Sequence, residues 1–141
     1  MKEETLKARI RERYGKIAVS GNSDCCCAPQ ECCNTADFNP KESLISIGYN
    51  HKELETIPES SLLGLGCGAP IDFANLKKGE TVVDLGSGAG IDAFLASKRV
   101  GNKGKVIGID FTDDMLDKAR NAALKFGFLN VEFSKGDIEK R

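Results

Sequence analysis

A chain of 141 residues suits one compact domain, and its 40% hydrophobic and 29% charged residues are those of an ordinary soluble globular protein. Its 20 Lys and Arg offset 21 Asp and Glu for a net charge of −1, without like-charge blocks, which speaks against a nucleic-acid footprint or a membrane-surface face. The first residues lack an apolar leader and no apolar run approaches spanning length, so a cytoplasmic protein is expected.

Leu6, Ile10 and Tyr14 recur every four residues among Lys, Arg and Glu, the pattern of an amphipathic helix. Gly15 and the polar stretch 20–24 are expected to end it. Residues 20–40 have no periodicity and read as a loop. This loop carries five of the six cysteines, as Cys25-Cys26-Cys27 and Cys32-Cys33; the sixth is Cys67. Neighbouring cysteines rarely offer the converging Cβ vectors that a disulfide needs, and cytosolic thiols stay reduced. Clustered reduced thiols point to soft-ion binding or redox chemistry.

Asn50-His51-Lys52-Glu53 has the form of a capping box that opens a short helix closed by Pro58. His51, the single histidine, reads as an exposed first-turn residue, since no catalytic partner can be named for it. Gly64-Leu65-Gly66-Cys67-Gly68 is either a plain connector or a loop whose backbone lies close to a ligand.

From residue 81 strands and helices alternate. Residues 81–85 form a short buried-type strand, 91–100 a helix, 105–110 a second strand, 113–126 a second helix and 130–134 a third strand. Thr112 is the expected N-cap of the second helix, Gly127 its stop, and Met115, Leu116, Ala119, Ala123 and Phe126 its core stripe. Helices of this length between strands mean right-handed crossovers and a parallel sheet. The expected fold is α/β: the first half of a doubly wound, mostly parallel Rossmann-like sheet (76–141), preceded by a helical, cysteine-rich segment (1–75).

Asp84-Leu85-Gly86-Ser87-Gly88-Ala89-Gly90 falls at the carboxyl end of the first strand, where such sheets hold their ligand. The acid that grips ribose hydroxyls should end the next strand, and Asp110 is there. A dinucleotide loop wants G-x-G-x-x-G/A; counted from Gly86 the sixth position is Ile91, which breaks the pattern. Asp84 would also repel a diphosphate. The same carboxylate suits a ligand with an amino group, a sulfonium cation and no phosphate, which describes S-adenosylmethionine (SAM). Asp137, just past the third strand, is placed to accept the adenine amino hydrogen, with the Ile138 backbone beside it; the plainer reading of Asp137 is a solvated loop carboxylate. Phe111 and Met115 complete the expected cofactor-binding set with Gly86, Ser87, Gly88 and Gly90.

These motifs, together with the stretch 76–90, 104–110 (Gly104-Lys105-Val106-Ile107-Gly108-Ile109-Asp110), Asn130-Val131-Glu132-Phe133, Tyr14-Gly15-Lys16-Ile17-Ala18, Ile47-Gly48-Tyr49 and the cysteine loop followed by Cys67, resemble the prokaryotic arsenite methyltransferases over nearly the whole chain. The SAM motifs are common to many methyltransferases; the cysteine loop followed by a glycine-flanked cysteine is what narrows the choice. The resemblance implies a SAM-dependent enzyme of arsenic detoxification. Cysteine thiolates hold trivalent arsenic, whose lone pair attacks the SAM methyl group in line with the departing sulfur. Cys67 matches the family's cysteine in the glycine loop, and Cys32 or Cys33 is the expected partner. Arsenic(III), supplied as thiol complexes, is then the small-molecule substrate.

The family's domain continues with further strands and two more cysteines, whereas this chain stops at Arg141. Three of roughly seven strands are expected, in spatial order 3-2-1, leaving the first as an exposed edge open to pairing with another chain. A fragment of a longer protein, or a truncation that oligomerises, is therefore expected, with weak SAM binding and poor methyl transfer. Two other readings stay open: a SAM methyltransferase for another small molecule with a redox-sensitive cysteine loop, or a non-catalytic thiol module for arsenic or zinc. Contiguous Cys25–Cys27 suits zinc poorly, although Cys27 and Cys32 keep a permissible spacing.

Overall fold

The computed structural model describes residues 3–20, 39–66 and 68–139. In chain order it has helix α1 (Glu3–Ser20), α2 (Pro40–Ser46), α3 (His51–Leu54), 3-10 turns at Glu59–Ser61 and Pro70–Asp72, β1 (Thr81–Leu85), α4 (Ile91–Val100), β2 (Lys105–Asp110), α5 (Asp113–Phe126) and β3 (Val131–Lys135). The three strands are parallel in the order β1-β2-β3, so β1 is an edge, as expected. The cysteine-bearing loop lies outside the described residues. No described helix is long and apolar enough to cross a membrane.

Side chains alternate across a strand, and here the two faces differ sharply. Val106, Val131 and Phe133 are buried beneath α4 and α5, with Phe94, Leu116 and Ala119 facing them from the helices. Phe94 lies edge-on to Phe133 with centroids 5.6 Å apart. Leu44, Tyr49, Leu54 and Leu62 join this same cluster, so the segment before the sheet shares the sheet's core. Arg99 fastens that segment to α4, donating to Glu53 Oε1 at 3.0 Å, to Asp72 Oδ1 at 2.6 Å and to the Ile71 carbonyl at 3.0 Å.

Several local expectations need correction. Helix α1 does not stop at Gly15 but runs to Ser20. Gly15 is where α1 crosses α5: a Cβ there would stand 2.5 Å from Asp114 Oδ2. The roughly 1 kcal/mol helical penalty of glycine is outweighed by the packing of Ile17 and Ala18 against Met115. Helix α2 has no counterpart among the expected elements, though its signal is local: Asn39 caps it by accepting from Lys41 N at 3.0 Å, and Pro40 is its first residue. In the capping box at 50–53, Asn50 Oδ1 accepts from Lys52 N at 2.9 Å, but Glu53 is drawn away to Arg99. Thr112 occupies the N-cap of α5 without a side-chain capping bond and is buried. Phe126 is not core but 53% exposed, and Ala122 takes a place in the stripe. Gly127 turns the chain with φ +73°, and Phe128 folds back to lie 4.5 Å from the Phe94 ring.

Candidate functional site

A cleft of about 770 Å³ opens above the carboxyl ends of β1 and β2. Its floor is the loop between β1 and α4. Gly86 and Ser87 donate their backbone N–H groups to the Ile109 carbonyl at 2.7 and 3.0 Å, which pins the loop to β2. Gly86 and Gly88 have φ of +78° and +51°, and nothing lies within 4 Å of where their Cβ atoms would be. The turn needs glycine there, and the missing side chains leave bare backbone facing open space. Gly90, at φ +92°, is needed for a further reason. A Cβ would meet Phe133 at 2.8 Å and Phe94 at 2.9 Å, so this glycine lets α4 sit down on the sheet.

Three aspartates surround the floor. Asp110 is buried and held rigid, accepting from Gly88 N (Oδ2, 2.9 Å) and from Thr112 N (Oδ1, 2.8 Å). Asp84 is different. Its Oδ2 is buried without a hydrogen-bond partner in the described structure, as is the Ser87 hydroxyl. Burial, and next the negative charges of Asp92 and Asp110, push the Asp84 carboxyl up to about 6, against a smaller opposing pull from the Ala93 backbone. Burial also raises Asp92, whose hydrogen bond from Tyr49 pulls it back. Buried orphan polar atoms are uncommon in folded proteins, and one at the floor of a cleft has bonding capacity to offer a ligand. Among the described residues that line the cleft, three are Asp and none is Lys or Arg. That electrostatic character selects a cation and opposes a diphosphate. SAM, with its ammonium and sulfonium and no phosphate, fits; a dinucleotide does not.

Of the residues singled out from the sequence, Asp84, Gly86, Ser87, Gly88, Asp110, Phe111 and Met115 converge on this cleft. Ser87 tucks its hydroxyl beside Gly108 of β2. Phe111 lies under the Arg11 guanidinium, 5.5 Å from the ring centroid, and Met115 is also packed against α1. Gly90, Asp137 and Ile138 stand outside the cleft wall. Asp137 is ion-paired with Lys7 of α1 at 2.9 Å, and Ile138 is exposed. Cys32, Cys33 and Cys67 lie outside the described residues. In the stretch 64–68, expected as either a connector or a loop close to a ligand, Gly64, Leu65, Gly66 and Gly68 line the cleft. So do Asp92, which follows the glycine loop by two residues, and Tyr14 and Ile10 of α1, which the periodicity marked only as a helix face.

Residues 76–141 match the family described as a methyltransferase domain. Similarity to two arsenite methyltransferases reaches well beyond that domain into the N-terminal half. The one from Halobacterium salinarum is 43% identical over 96% of this chain, and the one from Aquipseudomonas alcaligenes is 44% identical over 92%. The chain fits the arsenite methyltransferase family. It spans about a third of the length of these two arsenite methyltransferases, 36% and 35% respectively. By contrast a protein-L-isoaspartate O-methyltransferase from Methanococcus vannielii is 29% identical over 71% of the chain. The arsenite methyltransferase likeness is thus both higher in identity and broader than the likeness to that O-methyltransferase.

Proposed function

We propose that this chain holds SAM in the cleft above the 86–90 loop and serves methyl transfer to trivalent arsenic bound by cysteine thiolates. The observation that carries the reading is the unpartnered, buried oxygen of Asp84, set beside Asp92 and Asp110 in a cleft with no Lys or Arg among its described lining residues. When bound, SAM supplies a methyl group already activated by the neighbouring sulfonium charge. The chain's own residues then bind and orient. Asp84 receives the ammonium group. Gly86 and Gly88 offer bare backbone, with Ser87 between them and Gly90 behind. Each Asp110 oxygen keeps a lone pair for a ribose hydroxyl after accepting its backbone N–H. Phe111 and Met115 give apolar walls, while Asp137 and the Ile138 backbone serve the adenine edge once Lys7 yields.

On the substrate side, Cys67 and one of Cys32 or Cys33 hold arsenic(III), a soft centre for which ionised sulfur is the preferred donor. The thiols need a reducing compartment, which places the reaction in the cytoplasm as arsenic detoxification. The reading is tested by calorimetric titration with SAM, its demethylated product and NAD, alongside mass-spectrometric detection of methylated arsenic from arsenite. Expected are weak heat with the first two ligands, none with NAD, and a low yield of methylated arsenic that Cys67→Ser abolishes without loss of SAM binding. NAD uptake with indifference to SAM would overturn it. Arsenite capture without SAM uptake favours the thiol module, and SAM uptake with methyl transfer to another small acceptor favours the second enzyme reading.

A further inference from the structure

Tyr49 lies outside the glycine loop, yet its ring and hydroxyl touch both halves of the site. Gly48, with φ +113°, turns the chain out of α2, and the Tyr49 backbone N–H closes on the Leu44 carbonyl at 3.1 Å. The ring is then buried, at 4% exposure. A Cβ on Gly66 would stand 3.2 Å from Tyr49 Cε2, 2.9 Å from Ile47 Cδ1 and 3.3 Å from Leu44 Cδ2, so the backbone of Gly66 rests directly on this floor. Gly66 is the residue before Cys67. At the other end of the ring, the hydroxyl donates to the Asp92 carboxylate, 3.0 Å from each oxygen. Asp92 is the second residue of α4, directly after the 86–90 loop, and its charge bears on Asp84.

We propose that Tyr49 is a positioning residue: its ring supports the 64–68 loop that carries Cys67, and its hydroxyl fixes Asp92 beside the carboxylate that receives the cofactor. One side chain thereby sets the thiol-bearing loop and the cofactor loop in register. The proposal rests on the SAM reading above. A hydrogen bond to a charged acceptor is stronger than a neutral one, and a shared link of this kind makes its two partners non-additive. Tyr49 acts on the cofactor through Asp92, and on the 64–68 loop through a ring that its bond to Asp92 holds in place.

The test uses the whole 141-residue chain. Tyr49→Phe keeps the ring and removes the hydroxyl; Asp92→Asn keeps an acceptor and removes the charge; Asp92→Ala removes both. Calorimetry with SAM should give roughly five- to tenfold weaker binding for Tyr49→Phe and for Asp92→Asn. The double variant should be no weaker than the weaker single one. Amide hydrogen exchange at Gly64, Leu65, Gly66 and Gly68 should quicken in Tyr49→Phe and Asp92→Ala and stay unchanged in Asp92→Asn. The two Asp92 variants keep the test decisive if the Phe chain fails to fold. Wild-type SAM binding that Tyr49→Phe leaves within twofold, weakenings that multiply in the double variant, or exchange unmoved by Asp92→Ala would each overturn the proposal and spare the SAM reading. A wild-type chain that takes up no SAM would overturn both.

Discussion

The carboxyl of Asp84 sits where burial and two neighbouring carboxylates disfavour its charge, which pushes it up to about 6. A cationic ligand reverses that preference. Protonation removes the charge the ligand needs, so SAM affinity should rise as the pH climbs through 6. Calorimetry should give about tenfold weaker binding near pH 5 than near pH 7.5, since only about a tenth of the chains then carry the carboxylate. Without ligand the sign is opposite. The folded chain binds this proton more readily than the unfolded one, so the group's contribution to stability is complete below about pH 4 and is lost as the pH rises through 6. Asp84→Asn should therefore raise the unfolding free energy from urea titration at neutral pH by on the order of 1–3 kcal/mol, while weakening SAM binding and flattening its pH profile. A variant that loses stability and keeps its affinity would contradict this account. Asp84, Gly86, Gly88 and Asp110 were legible because strand, turn and second strand lie close in sequence and their spacing encodes their meeting. Tyr49 and Asp92 were not. Their hydrogen bond joins residues 43 apart, and neither lies in a pattern whose period reveals a partner.

Helix ends tell the same story for whole elements. The stop of α5 at Gly127 is readable from sequence, because only a residue at ease with φ +73° can cap it there. Periodicity points to the wrong phenylalanine for the core, because it continues the stripe 115, 116, 119, 123 straight to Phe126. The cap breaks that continuation. The N–H of Phe128 reaches back to the Ala123 carbonyl at 3.0 Å, and this fold-back swings its ring onto Phe94. Phe126 is left with the Lys125 ammonium over its ring at 5.7 Å. Urea unfolding should separate the two: Phe128→Ala should cost about 2–3 kcal/mol and Phe126→Ala less than about 0.5 kcal/mol. Equal losses would mean that both rings are packed. At α1 the competing terms are propensity and tertiary packing. Gly15 looks like a stop only when α1 is considered without α5, whose Lys118 donates to the Ala18 carbonyl at 3.0 Å beyond the supposed end.

At the scale of the molecule, the strand order β1-β2-β3 makes an asymmetric sheet. Both crossover helices cover one face, so the residues at alternate positions on the other face lie bare of any described helix. Val83 and Leu85 on the edge strand are 52% and 61% exposed, and Ile107 and Ile109 beside them are only partly buried. Parallel sheets rarely leave one face open, because their strands are apolar on both sides. An apolar face that meets an unpaired edge favours association with another chain, since covering it removes hydrocarbon from water and pairing the edge satisfies its free backbone groups. Val83 is the point to probe: it lies mid-strand on the bare face and outside the cleft lining, whereas Leu85 shares that lining. Sedimentation velocity of the 141-residue chain should show self-association that grows with concentration, and Val83→Lys should suppress it while leaving SAM binding near the wild-type value. The charge interrupts the apolar strip on the side of the sheet away from α4 and α5, so the core that holds the 86–90 loop is not disturbed. A wild-type chain that sediments as a monomer over the whole soluble range would show that the bare face is tolerated in water, and association would then have no part in how this chain is stabilised.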